Sequence, residues 1–219
     1  MTDELPDHLF KRQDNSSDEA FYAVPRMVNH IDDATINEIT RFYREALSPE
    51  DELLDLMSSW VSHLPEDVDY MKVTGLGMNL EELNANPRLD QVVVHNLNDT
   101  PRLPFAEASF DTVMIVVSIQ YLVRPFEVFE EIRRVLKSGG KCIISMSHRL
   151  FPTKAIYAFQ TLARQDRIHL VQQYMHRAGL TGIEFIDRSP EKADPLWIVQ
   201  GFNDRADKKW AQSKGTEKS

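Results

Sequence analysis

Cysteine is nearly absent, with a single residue, Cys142, in a chain of 219. A lone thiol excludes an internal disulfide framework. Its place in the apolar run KCIIS reads as a small buried hydrophobe in a reducing compartment rather than a nucleophile or metal ligand. Long hydrophobic runs are missing too: nowhere do 18 apolar residues follow one another, which excludes a transmembrane helix. The first twenty residues, MTDELPDHLFKRQDNSSDEA, lack the charged, apolar and small-residue sections of a secretory signal. Positive charge is in deficit, with 25 Lys and Arg against 34 Asp and Glu, and the formal net charge of -9 repels nucleic-acid backbones and anionic membrane surfaces. The expectation is a cytoplasmic protein, monomer or homodimer, whose partner is a small-molecule substrate and neither nucleic acid nor membrane.

No Gly/Ser-rich or Pro-rich linker divides the middle of the chain, and no repeat of 20 to 50 residues is visible. What is present is a composition of the soluble globular class, 42% hydrophobic and 27% charged. At this length one domain buries roughly 70% of the surface of its unfolded chain. The polar, acidic residues 1–20 read as a loose N-terminal arm or a docking segment without a core of its own, and 203–219 as a polar tail. Residues 21–202 then form a single domain, of which 21–47 are a lid segment and helix.

Within that domain short apolar runs alternate with amphipathic ones. Asp32 or Asp33 can cap a helix running to Leu47, stopped by Ser48-Pro49. Strands are expected at Leu53–Met57, Lys72–Met78 and Gln91–His95, the last with three valines in a row, as in a strand buried on both faces. Phe110–Ile119 is the strongest strand signal. A helix from Phe126 to Leu136 follows it, and Gly139-Gly140 suit a left-handed turn before a strand at Lys141–Met146. Helices at 153–163 and 166–177, with strands at 182–187 and 196–201, complete the pattern. This alternation implies an α/β fold: a Rossmann-like doubly wound sheet, mostly parallel, with an antiparallel strand near the C-terminus and helices on both faces.

The blocks LPFAEASFDTVMIVVSIQYL at 103–122 and EEIRRVLKSGGKCIIS at 130–145 resemble the class I S-adenosylmethionine-dependent methyltransferase superfamily. The resemblance implies S-adenosylmethionine as cofactor, S-adenosylhomocysteine as product, and cofactor-binding residues at the strand ends. In LLDLMSSW, at 53–60, Asp55 stands where the family has its acidic residue. Met57, Ser59 and Val61 occupy the positions of a Gly-x-Gly-x-Gly turn, with Ser58 and Trp60 between them, so this member has a divergent, degenerate glycine motif. Glycine in that turn lets the backbone approach a ligand closely. In VTGLGMN, Gly77 replaces the acidic residue that would bind the ribose, while Met78 can pack on adenine and Asn79 can reach a ribose hydroxyl. Asn96 and Leu97 stand beside the expected adenine, where an amide can both accept and donate.

Methyl transfer from a sulfonium demands positioning of the acceptor and sometimes removal of a proton. Polar residues on loops at the carboxyl ends of the strands are therefore the candidates. Ser118, a cofactor candidate, and Tyr121 follow the fourth strand, and Tyr121 is equally compatible with the core. His148 and Arg149 follow the fifth; a histidine suits a general base and an arginine can hold a carboxylate or phosphate. Tyr22, Arg26 and His30 lie in the lid segment, where His30 is a further catalytic candidate. The seven histidines are scattered without a Cys cluster or His-Glu-x-x-His, so no metal is expected. The resulting expectation is S-adenosylmethionine-dependent methyl transfer to a small-molecule acceptor. The alternative is a catalytically inactive methyltransferase-like binding or regulatory protein.

Overall fold

The computed structural model describes residues 5–204. Three strands come first: β1 (Glu52–Leu56), β2 (Lys72–Gly77) and β3 (Gln91–Val94). They are followed by β4 (Phe110–Val116), β5 (Leu136–Met146), β6 (Thr181–Asp187) and β7 (Trp197–Phe202). The seven make one sheet in the order β3-β2-β1-β4-β5-β7-β6, in which β1 to β5 pair in parallel and β7 runs antiparallel to both its neighbours. Strand order reverses between β1 and β4, and such a switch point opens a crevice at the carboxyl ends of the strands.

The helices divide between the two faces. On one, α4 (Pro125–Val135) and α6 (Arg164–Ala178) bury Val128, Phe129, Ile132, Val171 and Tyr174 in the larger core. On the other, α2 (Asp33–Ala46) packs Ile39, Phe42 and Tyr43 against Leu53, Val73, Met114, Ile143 and Ile198. Asp32 is its N-cap, accepting a hydrogen bond from the Thr35 amide at 2.9 Å. The α2 helix takes the place of a crossover helix between β1 and β2, where residues 57–71 form no helix.

Several sequence expectations shift. The β3 strand, read as buried on both faces, is the sheet edge, and Val94 is 53% exposed. Gly139 and Gly140 do not close a helix: α4 ends at Val135 and the chain passes directly into β5. Gly139, at φ 78°, lies in a bulge in which residues 137–140 face Asp111 alone. The helix expected at 153–163 is confined to α5 (Tyr157–Thr161), and a short α3 (Leu80–Ala85) joins β2 to β3.

The N-terminal residues read as an arm lie against the domain from Leu5 onward. Leu5, Leu9 and Phe10 pack on the larger core, and α1 (Asp18–Tyr22) sits over the strand ends. The fully buried Lys154 ammonium holds the segment, donating to the Ser16 carbonyl at 2.7 Å and lying 3.2 Å from Asp14 and 3.3 Å from Asp18. At the other end Asn203 belongs to the fold, its side chain donating to the Leu136 carbonyl at 2.9 Å. The polar tail expected beyond it lies, from residue 205, outside the described residues.

The loop after β1 crosses the end of β2 so closely that a β-carbon on Gly77 would collide with the Ser58 carbonyl oxygen. At Gly75 the obstacle is the Leu89 side chain, which can rotate away. Gly77→Ala should therefore lower stability by about 1–3 kcal/mol and Gly75→Ala by less, measured as shifts in urea midpoint at constant m.

Candidate active site

A cavity of ≈ 270 Å³ opens at the switch point. Its floor is the carboxyl ends of β1, β2 and β4 with the loop after β3, and residues 18–31 form its roof. Of the candidates read from sequence, His30, Asp55, Met57, Ser58, Ser59, Trp60, Gly77, Met78, Asn79, Asn96, Leu97, Ser118, Tyr121 and Arg149 all border it. His148 does not: it lies outside the wall, its Nε2 3.2 Å from the buried carboxylate of Asp194. That carboxylate also accepts from Arg149 Nε at 2.9 Å, so one anchor orients both side chains.

The turn after β1 keeps the backbone that glycine would favour without having glycine. Met57 sits at φ 61° and His63 at φ 55°, and across the cavity Val117 follows β4 at φ 48°. A β-branched residue there is an uncommon outlier, and such strain concentrates at ligand sites.

Asp55 ends β1 fully buried, accepting from the hydroxyls of Ser58 at 2.6 Å and Ser62 at 2.5 Å. Burial pushes its carboxyl up to about 6, and the two hydroxyls only partly oppose that rise. Burial likewise pushes His63 down to about 4, leaving it neutral at physiological pH. Burial lowers His30 below its ordinary value; Glu82 opposes and Arg26 reinforces the shift. The imidazole of His30 stands edge-on to Phe151, ring centroids 5.1 Å apart. Burial raises the Tyr121 phenol, opposed by the Phe151 amide, which donates to its oxygen at 2.9 Å, and by the Gln120 side chain.

The two amides proposed for the nucleoside are engaged elsewhere. Asn79 caps α3 through its oxygen and donates to the Tyr22 carbonyl at 2.8 Å, so it is not free for a ribose hydroxyl. Asn96 donates to Glu19 at 2.6 Å and Asp99 at 2.9 Å and accepts from the Asn98 amide at 3.0 Å. Trp60 donates its indole N–H to the Val28 carbonyl at 3.2 Å, which makes it a tie between loop and roof.

Sequence reasoning missed Glu82, which is buried and accepts from Ser59 Oγ at 2.5 Å and from the Arg26 amide at 2.8 Å. Its position in the first turn of α3 was the available signal, but that helix was not foreseen. Phe151 also enters the wall: it stacks with Tyr121 at 5.9 Å and meets Phe21 at 5.7 Å. Only folding brings these rings together.

Residues 58–144 match the family described as a methyltransferase domain. A demethylmenaquinone methyltransferase of Renibacterium salmoninarum is 32% identical over 89 residues, which are 40% of this chain and 38% of that protein. Among solved structures, the [4+2]-cyclase SpnF superposes with a TM-score of 0.57 at 14% identity, over 78% of this chain and 81% of that one. Phosphoethanolamine N-methyltransferase 2 of Haemonchus contortus, in complex with S-adenosyl-L-methionine, gives 0.55 at 13% identity, over 77% and 52% of the two chains. The structural likeness at these identities is one of fold. With the match over residues 58–144 and the strand order, it makes the chain similar in fold to class I S-adenosylmethionine-dependent methyltransferases.

The Asp55 carboxyl makes stability depend on pH. Its folded value lies above the ordinary unfolded value near 3.9, so the native state holds the proton more tightly. Stability is complete below about pH 4, falls as pH rises to about 6 and is level beyond. Asp55→Asn, which cannot ionise, should gain on the wild type by on the order of 2–3 kcal/mol between pH 4 and pH 7.5. Urea unfolding of both proteins at the two pH values measures this.

Proposed function

We propose that the protein transfers the methyl group of S-adenosylmethionine to a small-molecule acceptor seated beneath residues 18–31. One observation carries this reading: a single switch-point cavity gathers Asp55, Ser118, Met78 and Leu97 from four different strand ends. The residues fit the cofactor. Ser118 Oγ is buried at the cavity with no hydrogen-bond partner, and such a hydroxyl suits a polar ligand atom. Asp55 and Ser118 would hold the amino-acid end, and Met78 with Leu97 would flank the adenine. Bound there, the group supplies a methyl carbon made electrophilic by its sulfonium.

The chain's own residues do the rest. The roof covers part of the cavity, tied down through Trp60, Asn79 and Glu82. Tyr121 offers an O–H at the acceptor side. His30, neutral at physiological pH, can accept a proton from an acceptor hydroxyl or amine. Phe151 gives the acceptor an apolar wall. A small-molecule acceptor suits a cavity of ≈ 270 Å³ partly covered by residues 18–31.

A second reading, a methyltransferase-like binding protein without turnover, is favoured by the engagement of Asn79 and Asn96 with residues 19–23. Those bonds put the N-terminal segment in competition with a nucleoside. Calorimetric titration with S-adenosylmethionine and S-adenosylhomocysteine tests the first reading, with micromolar binding expected. No heat at millimolar ligand would sink it, and binding without methyl transfer to any acceptor would favour the second. Ser118→Ala should weaken S-adenosylhomocysteine about tenfold, from ~1.5 kcal/mol for a buried hydrogen bond. The same change should leave the melting temperature of the free protein level or raised, because it removes a buried group that has no partner.

A further inference from the structure

We propose that Arg26 is the receptor for a carboxylate on a ligand of this cavity, an assignment that rests on the methyl-transfer reading of the site. The Arg26 guanidinium lies over the Phe21 ring at 4.5 Å, with Phe151 at 5.7 Å and Tyr22 at 5.8 Å. Three aromatic rings flank it, Phe21 at the shortest distance, and hold its position. Among the described residues its side-chain hydrogen bonds go only to nearby main-chain carbonyls, Phe21 at 2.8 Å and Val24 at 3.5 Å. Of the five N–H donors a guanidinium carries, three are left without a protein acceptor.

Among the described residues no carboxylate lies within 4.0 Å of that guanidinium. Glu82, the acid beside it, binds the Arg26 main-chain amide and Ser59, so it fixes the residue without neutralising its side chain. The other acids of the wall are matched: Asp18 by Arg12 and Lys154, Asp55 by two hydroxyls. Arg149, the second arginine at the cavity, is held by Asp194. Arg26 is thus a cavity-wall cation with donors to spare and no counter-ion. A planar fork of that kind is complementary to a carboxylate, which it can bind through two parallel hydrogen bonds. Two ligands could bring one: the amino-acid end of the cofactor, or an acidic acceptor lying against Phe151.

The test is calorimetry on the full chain, wild type and Arg26→Met, with two pairs of probes. S-adenosylhomocysteine carries the carboxylate that 5′-methylthioadenosine lacks, and benzoate carries the one that benzamide lacks. If the cofactor is the source, Arg26→Met weakens S-adenosylhomocysteine at least tenfold and leaves 5′-methylthioadenosine unchanged. If the acceptor is the source, benzoate weakens at least tenfold while S-adenosylhomocysteine and benzamide do not move. Arg26→Lys should fall between, because it keeps the charge and loses the fork. The wild-type comparison of benzoate with benzamide, which differ only in the carboxylate, stands even where a variant fails to fold.

The proposal is overturned if neither carboxylate probe binds better than its neutral twin, or if Arg26→Met leaves both carboxylate affinities within twofold. An equal loss for charged and neutral probes, with a lowered melting temperature, also overturns it by showing a purely structural role. Failure of both nucleosides to bind the wild type would sink the methyl-transfer reading, and the benzoate arm would still decide Arg26.

Discussion

The geometry of the site depends on one buried charge. The Lys154 side chain is wholly enclosed, and an ammonium out of water is tolerable only where anions and carbonyls surround it. Asp14, Asp18 and the Ser16 carbonyl supply those partners, and Arg12 closes the cluster on Asp18 at 2.7 Å. Because removing any one of them would leave an uncompensated charge, residues 12–18 have a single acceptable seat against the loop after β5. Everything downstream in the segment follows from that seat. Tyr22, Arg26 and His30 reach the cavity because Asp18 is pinned, and Asn98 extends the anchor by donating to the same carboxylate at 2.8 Å.

The second constraint is the missing crossover helix after β1. Without it the chain from Met57 to Met71 runs as a loop that folds over β2, and Gly77 has no room for a side chain because the Ser58 backbone lies on it. The path of the loop after β1 and the glycine at position 77 are therefore sterically linked. A loop drawn across β2 forbids a side chain there and ties itself to Glu82 through Ser59 instead. Met57 takes up the left-handed conformation that remains necessary, at the cost of strain a glycine would not feel.

These two constraints give the cavity a particular character. Its roof is bonded to the floor through Trp60, Asn79, Glu82 and Asn96, and its polar groups are mostly matched within the protein. The exceptions, the orphan hydroxyl of Ser118 and the uncompensated guanidinium of Arg26, are therefore informative. In a folded chain most buried polar groups find a partner, and an unmatched one at a cavity wall leaves a bond that a ligand can make.

The sequence by itself determined the sheet and its sense. Apolar strands separated by amphipathic helices leave few alternatives to a doubly wound layer, and the Asp55, Gly77 and Ser118 positions mark the strand ends that border the cavity. Periodicity reports which face of an element is buried, but not which strand lies at an edge, which is why β3 was misplaced despite its three valines. It was equally silent on Gly139 and Gly140, since a bulge and a helix cap both call for a left-handed residue. Tertiary structure alone decided the site's wiring. That Asn79 and Asn96 bond to the roof, that His148 turns to Asp194 and that Glu82 and Phe151 enter the wall are contacts between residues far apart in sequence. Each depends on distances that a local pattern does not encode, because the chain's own N-terminal segment competes for the same donors and acceptors as any ligand.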